Sequence, residues 1–419
     1  MTDAASTAAP HQAALPASED RSTDVTPPSP ARLIGIDLAR GLAVLGMFSA
    51  HIGPDVTVGG PVGFLLETAR GRSSALFAVL AGFSLVIITG RPQPRTGREG
   101  RRAAARIVIR ALVLLVLGYV LTALDTDVDV ILSFYALLFL VVLPLYRLRA
   151  ATLTLIAVTG ALVLPQVLFV IRKSTERNGW ADDFIAVDPL ARLTGTDGLV
   201  ELLFTGEYPV LTWIPFLVAG MAVARVDLTR PGIRTRLAAV GAGLALFGYG
   251  ASWLLLRIVP GAVATVAAAT DGGSAASAWW SDQVGSLKDG TPLAWLLVAA
   301  PHSQTTLSVL GNTGVALAAI ALCLTVVDRM PRTTRLARPV AAVGMSALTA
   351  YVLHIVALWL LTDVWYVSWI EDDSISGLRV LLGFIAAAVL LCTLWTHWFR
   401  RGPLEQLLHT LTLPARYVR

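Results

Sequence analysis

Residues 129–171 read DVILSFYALLFLVVLPLYRLRAATLTLIAVTGALVLPQVLFVI. Two unbroken apolar runs flank a short basic step made by Arg147 and Arg149. Each run is close to the length of about 20 residues that carries an α-helix across a bilayer. Neither run alternates polar with apolar residues, so a transmembrane β-barrel is excluded. In lipid the backbone then has only its own helix to bond to, and a helical bundle follows. Outward from this stretch the same pattern recurs. Spans are expected at roughly 33–52, 73–90, 104–123, 129–146, 151–171, 208–225, 237–258, 305–327, 339–361 and 377–399. The fold class is therefore all-α, a polytopic membrane helix bundle of about ten transmembrane helices.

Composition agrees. The 419 residues are 55% hydrophobic and only 15% Asp, Glu, Lys and Arg, with a mean hydropathy of +0.68. A soluble domain carries about 25% charge. The net charge of +5 comes almost wholly from arginine, Lys173 and Lys288 being the only lysines. The arginines sit in alternate connecting segments. Twenty-three basic residues, among them Arg91, Arg95, Arg98, Arg101, Arg102, Arg106 and Arg110, fall on one side of the ten-span layout and eight on the other. The positive-inside rule places the first side in the cytoplasm, with both termini, in a multi-pass protein of the plasma membrane. The basic surplus is thus an orienting device and not a nucleic-acid surface. Residues 1–31 are expected as a disordered cytoplasmic tail, 32–401 as one membrane domain and 402–419 as a cytoplasmic tail holding a short amphipathic helix. Loops 172–207 and 259–304, with Trp180, Trp279 and Trp280, would face outward. They read either as solvating loops or as a lid over an acceptor site. Cys323 and Cys392 lie inside apolar runs and form no metal or disulfide pattern, and no metal site is expected.

Ionisable residues inside a span are expensive and point to function. Span one, RLIGIDLARGLAVLGMFSAH (32–51), holds three: Asp37, Arg40 and His51. Asp37 and Arg40 are i,i+3 neighbours that can pair, either structurally or to orient the arginine. Arg40 and His51 share one helix face about 16 Å apart along the axis. An imidazole there is a natural base near neutral pH, or else a hydrogen-bonded interior histidine. Span nine is also polar, with Ser346, Thr349, Tyr351 and His354 in one helix. Tyr351 and His354 are candidate substrate contacts or interhelical hydrogen bonders. Arg72, opening span two, breaks the charge asymmetry; it reads as an interfacial side chain or as a binder of an anionic or carbonyl group. His302 reads as a loop histidine.

Arg40, ten residues and His51 resemble the R-X10-H signature of the acyltransferase-3 membrane acyltransferases. FAVLAGFSL (77–85) is similar to their FFxLSGFxL element, with Ala81 in place of the serine. The wider pattern, IDLARGLAV…MFSAH followed by GRSSALFAVLAGFSL, resembles still more the bacterial relatives of heparan-α-glucosaminide N-acetyltransferase, over about residues 32–90. In the animal enzyme the histidine follows span one in a loop. Here His51 is the nearest counterpart. The resemblance implies a membrane-bound acyltransferase taking acetyl-CoA, or another acyl-CoA, from the cytoplasm. The acceptor it implies is a small molecule, glycan or glycolipid presented outside, with His51 as base or acyl carrier and Arg40, oriented by Asp37, near the thioester. The basic 91–110 segment would favour the CoA phosphates. Membrane lipid is the other expected partner; the oligomeric state is left open. A transporter or lipid flippase, or a non-catalytic scaffold, would use the same polar stripe without binding CoA.

Overall fold

A computed structural model describes residues 30–54, 59–270, 275–365 and 374–419. The tail expected at 1–31 lies outside these apart from residues 30 and 31. The long helices are α1 (Pro30–His51), α2 (Gly60–Ala69), α3 (Arg72–Thr89), α4 (Gly97–Thr122), α5 (Ile131–Val142) and α6 (Ala150–Asn178). Three short pieces follow: α7 (Trp180–Val187), α8 (Pro189–Thr194) and α9 (Gly198–Val200). Then come α10 (Val210–Arg225), α11 (Pro231–Ile258), the short α12 (Ala262–Ala267), α13 (Thr306–Arg329) and α14 (Pro331–Met345). The chain closes on α15 (Ala347–Trp359), α16 (Ser374–Trp398) and α17 (Pro403–Leu411). No strand occurs among the described residues.

Among the described residues, seven helical stretches are long and apolar enough to cross a membrane. The number is eight if Gly198–Thr205 and Val210–Arg225, which meet at 62°, count as one broken span. The expected ten differ for identifiable reasons. Ile131–Arg147 is apolar but short. The expected span 339–361 is two helices: the backbone leaves helical geometry at Ser346 (φ −115°, ψ 33°). On the near side of that break lies the amphipathic α14 with Arg335 and Arg338 exposed; on the far side α15 runs on to give a spanning stretch through Val364.

The helices that frame α1 are drawn in by small residues, as usual where lipid supplies no drive for helices to associate. A Cβ on Gly41 would overlap the Val340 carbonyl of α14, and one on Gly344 would overlap the Asp37 carbonyl. The same reciprocity joins α3 to α10, where Gly82 meets the Leu217 carbonyl and Gly220 meets that of Val79. These two crossings fix α1 and α3, and with them the ionisable residues they carry.

At the His51 end residues 275–304 fold as a cap that polar contacts hold in place. Glu67 accepts from Asp282 N at 2.7 Å, Ser286 Oγ donates to Glu207 at 2.6 Å, and Trp295 Nε1 donates to the Ser303 carbonyl at 2.9 Å. Arg172 donates to the carbonyls of Leu287 and Thr205.

Candidate functional site

The two ends of α1 carry two distinct clusters. Near its start, Arg40 donates to Asp37 Oδ1 at 2.9 Å, to the Gly344 carbonyl at 3.2 Å and to Ser84 Oγ at 3.2 Å. Ser84 lies within FAVLAGFSL, one turn beyond Ala81. A cavity of about 710 Å³ opens here, walled by Asp37, Arg40, Ser84, Arg95, Arg106, Arg110, Arg401, Glu405, His409 and Arg416. Six guanidinium groups and two carboxylates line it, so its field favours an anion. A narrower cavity of about 190 Å³ shares Arg40, Ser84, Arg110 and Glu405 with it. Its other walls are apolar and aromatic, among them Phe77, Ala81, Tyr135 and Phe139. A charged vestibule thus leads past Arg40 into a greasy slot.

Not every arginine of the 91–110 segment serves this vestibule. Arg91 donates to the carbonyls of Ala224 and Val226. Arg101 and Arg102 hold the carbonyls of Arg419 and Val418. Glu405, on α17, caps the start of α15: it accepts from Leu348 N (2.7 Å), Thr349 N (3.2 Å) and Thr349 Oγ1 (2.6 Å). Sequence reading placed an amphipathic helix in this tail but missed that it walls the cavity.

At the other end of α1, His51 Nδ1 lies 2.9 Å from His354 Nε2, with the ring centroids 5.2 Å apart and the ring planes within 9° of parallel. Phe48 stacks on His354 at 4.6 Å, and Tyr351 meets it edge-on at 5.1 Å. The Tyr351 hydroxyl accepts from Ile131 N at 3.3 Å. His354 is buried, its Nδ1 having no hydrogen-bond partner. Only one proton can bridge the two imidazoles. With it on His51 Nδ1, the His51 Nε2 lone pair is left as base or nucleophile, and His354 takes the orienting role that a carboxylate plays in a triad. The candidates from spans one and nine, His51, Tyr351 and His354, are thus brought together.

Arg72 stands apart from both clusters in its bonding. It is buried and donates to Tyr249 Oη (3.0 Å), the Glu67 carbonyl (3.0 Å) and the Trp280 carbonyl (2.5 Å), so it ties α3 to α11 and to the cap. His302 lies in the loop before α13, as the sequence reading expected, with its side chain only 9% exposed. Burial alone would push its imidazole down. The Glu207 carboxylate, 2.9 Å from Nδ1, overrides this and pushes it up to about 9.

This is a helical membrane protein of acyltransferase type. The heparan-alpha-glucosaminide N-acetyltransferase catalytic domain matches residues 32–250, about half of the chain, and the chain belongs to that family. Residues 290–415 match a second family, described as a protein of unknown function, DUF418. No curated protein matches. Arg40, His51 and Arg72 lie within the first match, and Tyr351, His354 and Glu405 within the second.

Proposed function

We propose that the protein is an acyltransferase that takes its acyl group from acyl-CoA, acetyl-CoA in the first instance, at the Arg40 end of the bundle. It delivers the group to a hydroxyl or amine of a glycan, glycolipid or small molecule at the His51 end. The observation that carries this reading is the pairing of the arginine-lined vestibule with the slot beyond Arg40. CoA has the same division: a polyphosphate nucleotide, which guanidinium groups bind well, and a thin pantetheine arm. Arg95, Arg106, Arg110, Arg401 and Arg416 would hold the phosphates. The arm would pass Arg40 and Ser84, with Asp37 keeping the guanidinium in place. His51, oriented by His354, would withdraw the acceptor's proton or carry the acyl group itself. The arginine asymmetry supports a donor end in the cytoplasm and an acceptor end outside.

The test is direct. CoA binding and transfer of labelled acetyl are measured on the full chain in lipid nanodiscs. Arg106→Gln with Arg110→Gln should weaken CoA binding at least tenfold. His51→Ala should leave CoA binding within twofold and lower transfer by 10²–10⁴, the range of a general base. A wild type that binds no CoA would remove the reading in favour of transport.

A further inference from the structure

Another cavity, of about 380 Å³, lies away from both α1 clusters, between α6, α10, α11 and α13. The packing of these four helices explains why it exists. A Cβ on Gly241 of α11 would overlap Ala318 N and the Gly314 carbonyl of α13, and one on Gly248 would overlap the Leu307 carbonyl. Small residues thus lock α11 onto α13. α6 is seated on α10, where a Cβ on Gly160 would meet the Pro215 ring at 3.3 Å. At the cap end α6 is also tied to α13: Thr306 Oγ1 donates to the Ala161 carbonyl at 3.1 Å and accepts from Gln166 Nε2 at 2.9 Å. Between the two locked pairs a groove stays open, floored by Ala219 and Ala222 of α10.

Fourteen of the seventeen residues that line the groove are apolar; the others are Thr154, Thr313 and Arg236. Val158 of α6 and Val240 of α11, on its two rims, are exposed, so it opens sideways from the bundle. Arg236 stands at one end, in the second turn of α11, beside the start of α6 and the end of α10. Its neighbours on α11 are committed elsewhere, Arg234 to Asp328 and Arg230 to Asp227. Among the described residues Arg236 has no ion-pair or hydrogen-bond partner. On α6 and α11 the lining stops at Ala161 and Leu244, near the middle of each helix. Arg236 to Leu244 is about 12 Å along the axis, and Pro215 to Val226 about 16 Å. Half of a hydrocarbon core of about 30 Å is about 15 Å. The groove therefore has the depth of one leaflet, with a cation where the headgroups would lie.

We propose that this groove is a binding site for one anionic phospholipid, with an acyl chain along α10 between α6 and α11 and the phosphate on Arg236. The site goes beyond the acyltransferase reading and does not depend on it. An acyl chain entering the groove leaves other lipid tails that are as apolar as leucine, so its contacts alone select nothing. Selection falls to the headgroup. A guanidinium presents planar, paired donors to a phosphate, and one that is not already bonded to a carboxylate is free to do so. The chain would fill the gap that the glycine contacts leave and join the α6–α10 pair to the α11–α13 pair, so a bound lipid should also raise thermal stability.

The experiment uses the full chain in detergent, supplied with phosphatidylglycerol or with phosphatidylcholine of the same acyl chains, and counts retained lipid by native mass spectrometry. Wild type should keep one phosphatidylglycerol and prefer it to phosphatidylcholine about fivefold, which is what one basic side chain is worth to an anionic lipid. Its Tm should rise with phosphatidylglycerol. Arg236→Gln should erase the preference. Val240→Trp, which fills the groove from its exposed rim, should lose the retained lipid and the gain in Tm. If Val240→Trp does not fold, Val158→Trp on the opposite rim decides by the same criteria. Equal retention of the two lipids by wild type, a preference that survives Arg236→Gln, or a lipid still held by a folded rim variant would overturn the proposal. So would a lipid-free dimer that Val240→Trp dissociates, which would give the groove to a second copy of the chain.

Discussion

Removing the Asp37 carboxylate should move stability and donor affinity in opposite directions. In Asp37→Ala, Arg40 loses its 2.9 Å ion pair but keeps the Gly344 carbonyl and Ser84 Oγ. A hydrogen bond to a charged group contributes about 1.5–3 kcal/mol. Deleting one partner of a fully buried pair costs about 3–5 kcal/mol. Here the side chains are 21% and 22% exposed and line a large open cavity, so solvent takes back part of the loss. The expected destabilisation is about 1–2 kcal/mol, a fall in Tm of a few degrees. The same change deletes one negative charge from the donor vestibule. At about 10 Å in a water-like medium, one charge pair is worth about 0.4 kcal/mol. Summed over the several phosphate charges of CoA and screened over about one Debye length, this leaves roughly 0.5 kcal/mol. CoA should therefore bind about two- to threefold more tightly, and the gain should vanish in high salt. Thermal unfolding in nanodiscs and CoA titration at two ionic strengths measure both. Weaker CoA binding with an unchanged Tm would refute the reasoning, because Asp37 would then be holding the donor and not only its arginine.

Three further outcomes are expected. His354→Phe keeps the stacking on Phe48 but removes the bridge to His51, so transfer should drop 10²–10⁴-fold while CoA affinity stays within twofold; transfer within tenfold of wild type would free His51 from its partner. Single cysteines at 96 and 285 should be labelled from opposite faces of the membrane, cytoplasmic and external; labelling of both from one face would break the topology. The Glu207–His302 pair raises a proton affinity on folding, so its stabilisation is complete below about pH 6.5 and is lost as pH rises to about 9. Wild-type Tm should fall across that window, and Glu207→Gln should flatten the fall.

The sequence was most legible where one physical rule dominates. Lipid demands long apolar helices, so the bounds of α3, α6, α11 and α13 fall within a few residues of the expected spans, apart from a polar helical end on α6 and α11. It misled at 339–361, because an apolar count does not register the backbone break at Ser346 that separates α14 from α15. The shared face of Arg40 and His51 followed from helical periodicity alone. That His51 meets His354 did not, since the contact spans 303 residues and depends on how α1 and α15 pack. Glu207 was invisible for another reason: its partner His302 is positioned by a loop in left-handed conformation, which no periodic pattern announces.

Residues 401–416 follow every span in chain order, yet they supply Arg401, Glu405, His409 and Arg416 to the wall of the arginine-lined cavity. During synthesis the spans enter the bilayer before this stretch leaves the ribosome. The cavity that would admit a reactive thioester is thus closed only after the spans that precede this stretch are in the bilayer. A chain still being inserted carries an open trough where the finished protein has a vestibule, so on the proposed reading thioester handling would await completed membrane integration. Any fusion placed after Arg419 would sit beside Arg101, which holds that residue's carbonyl.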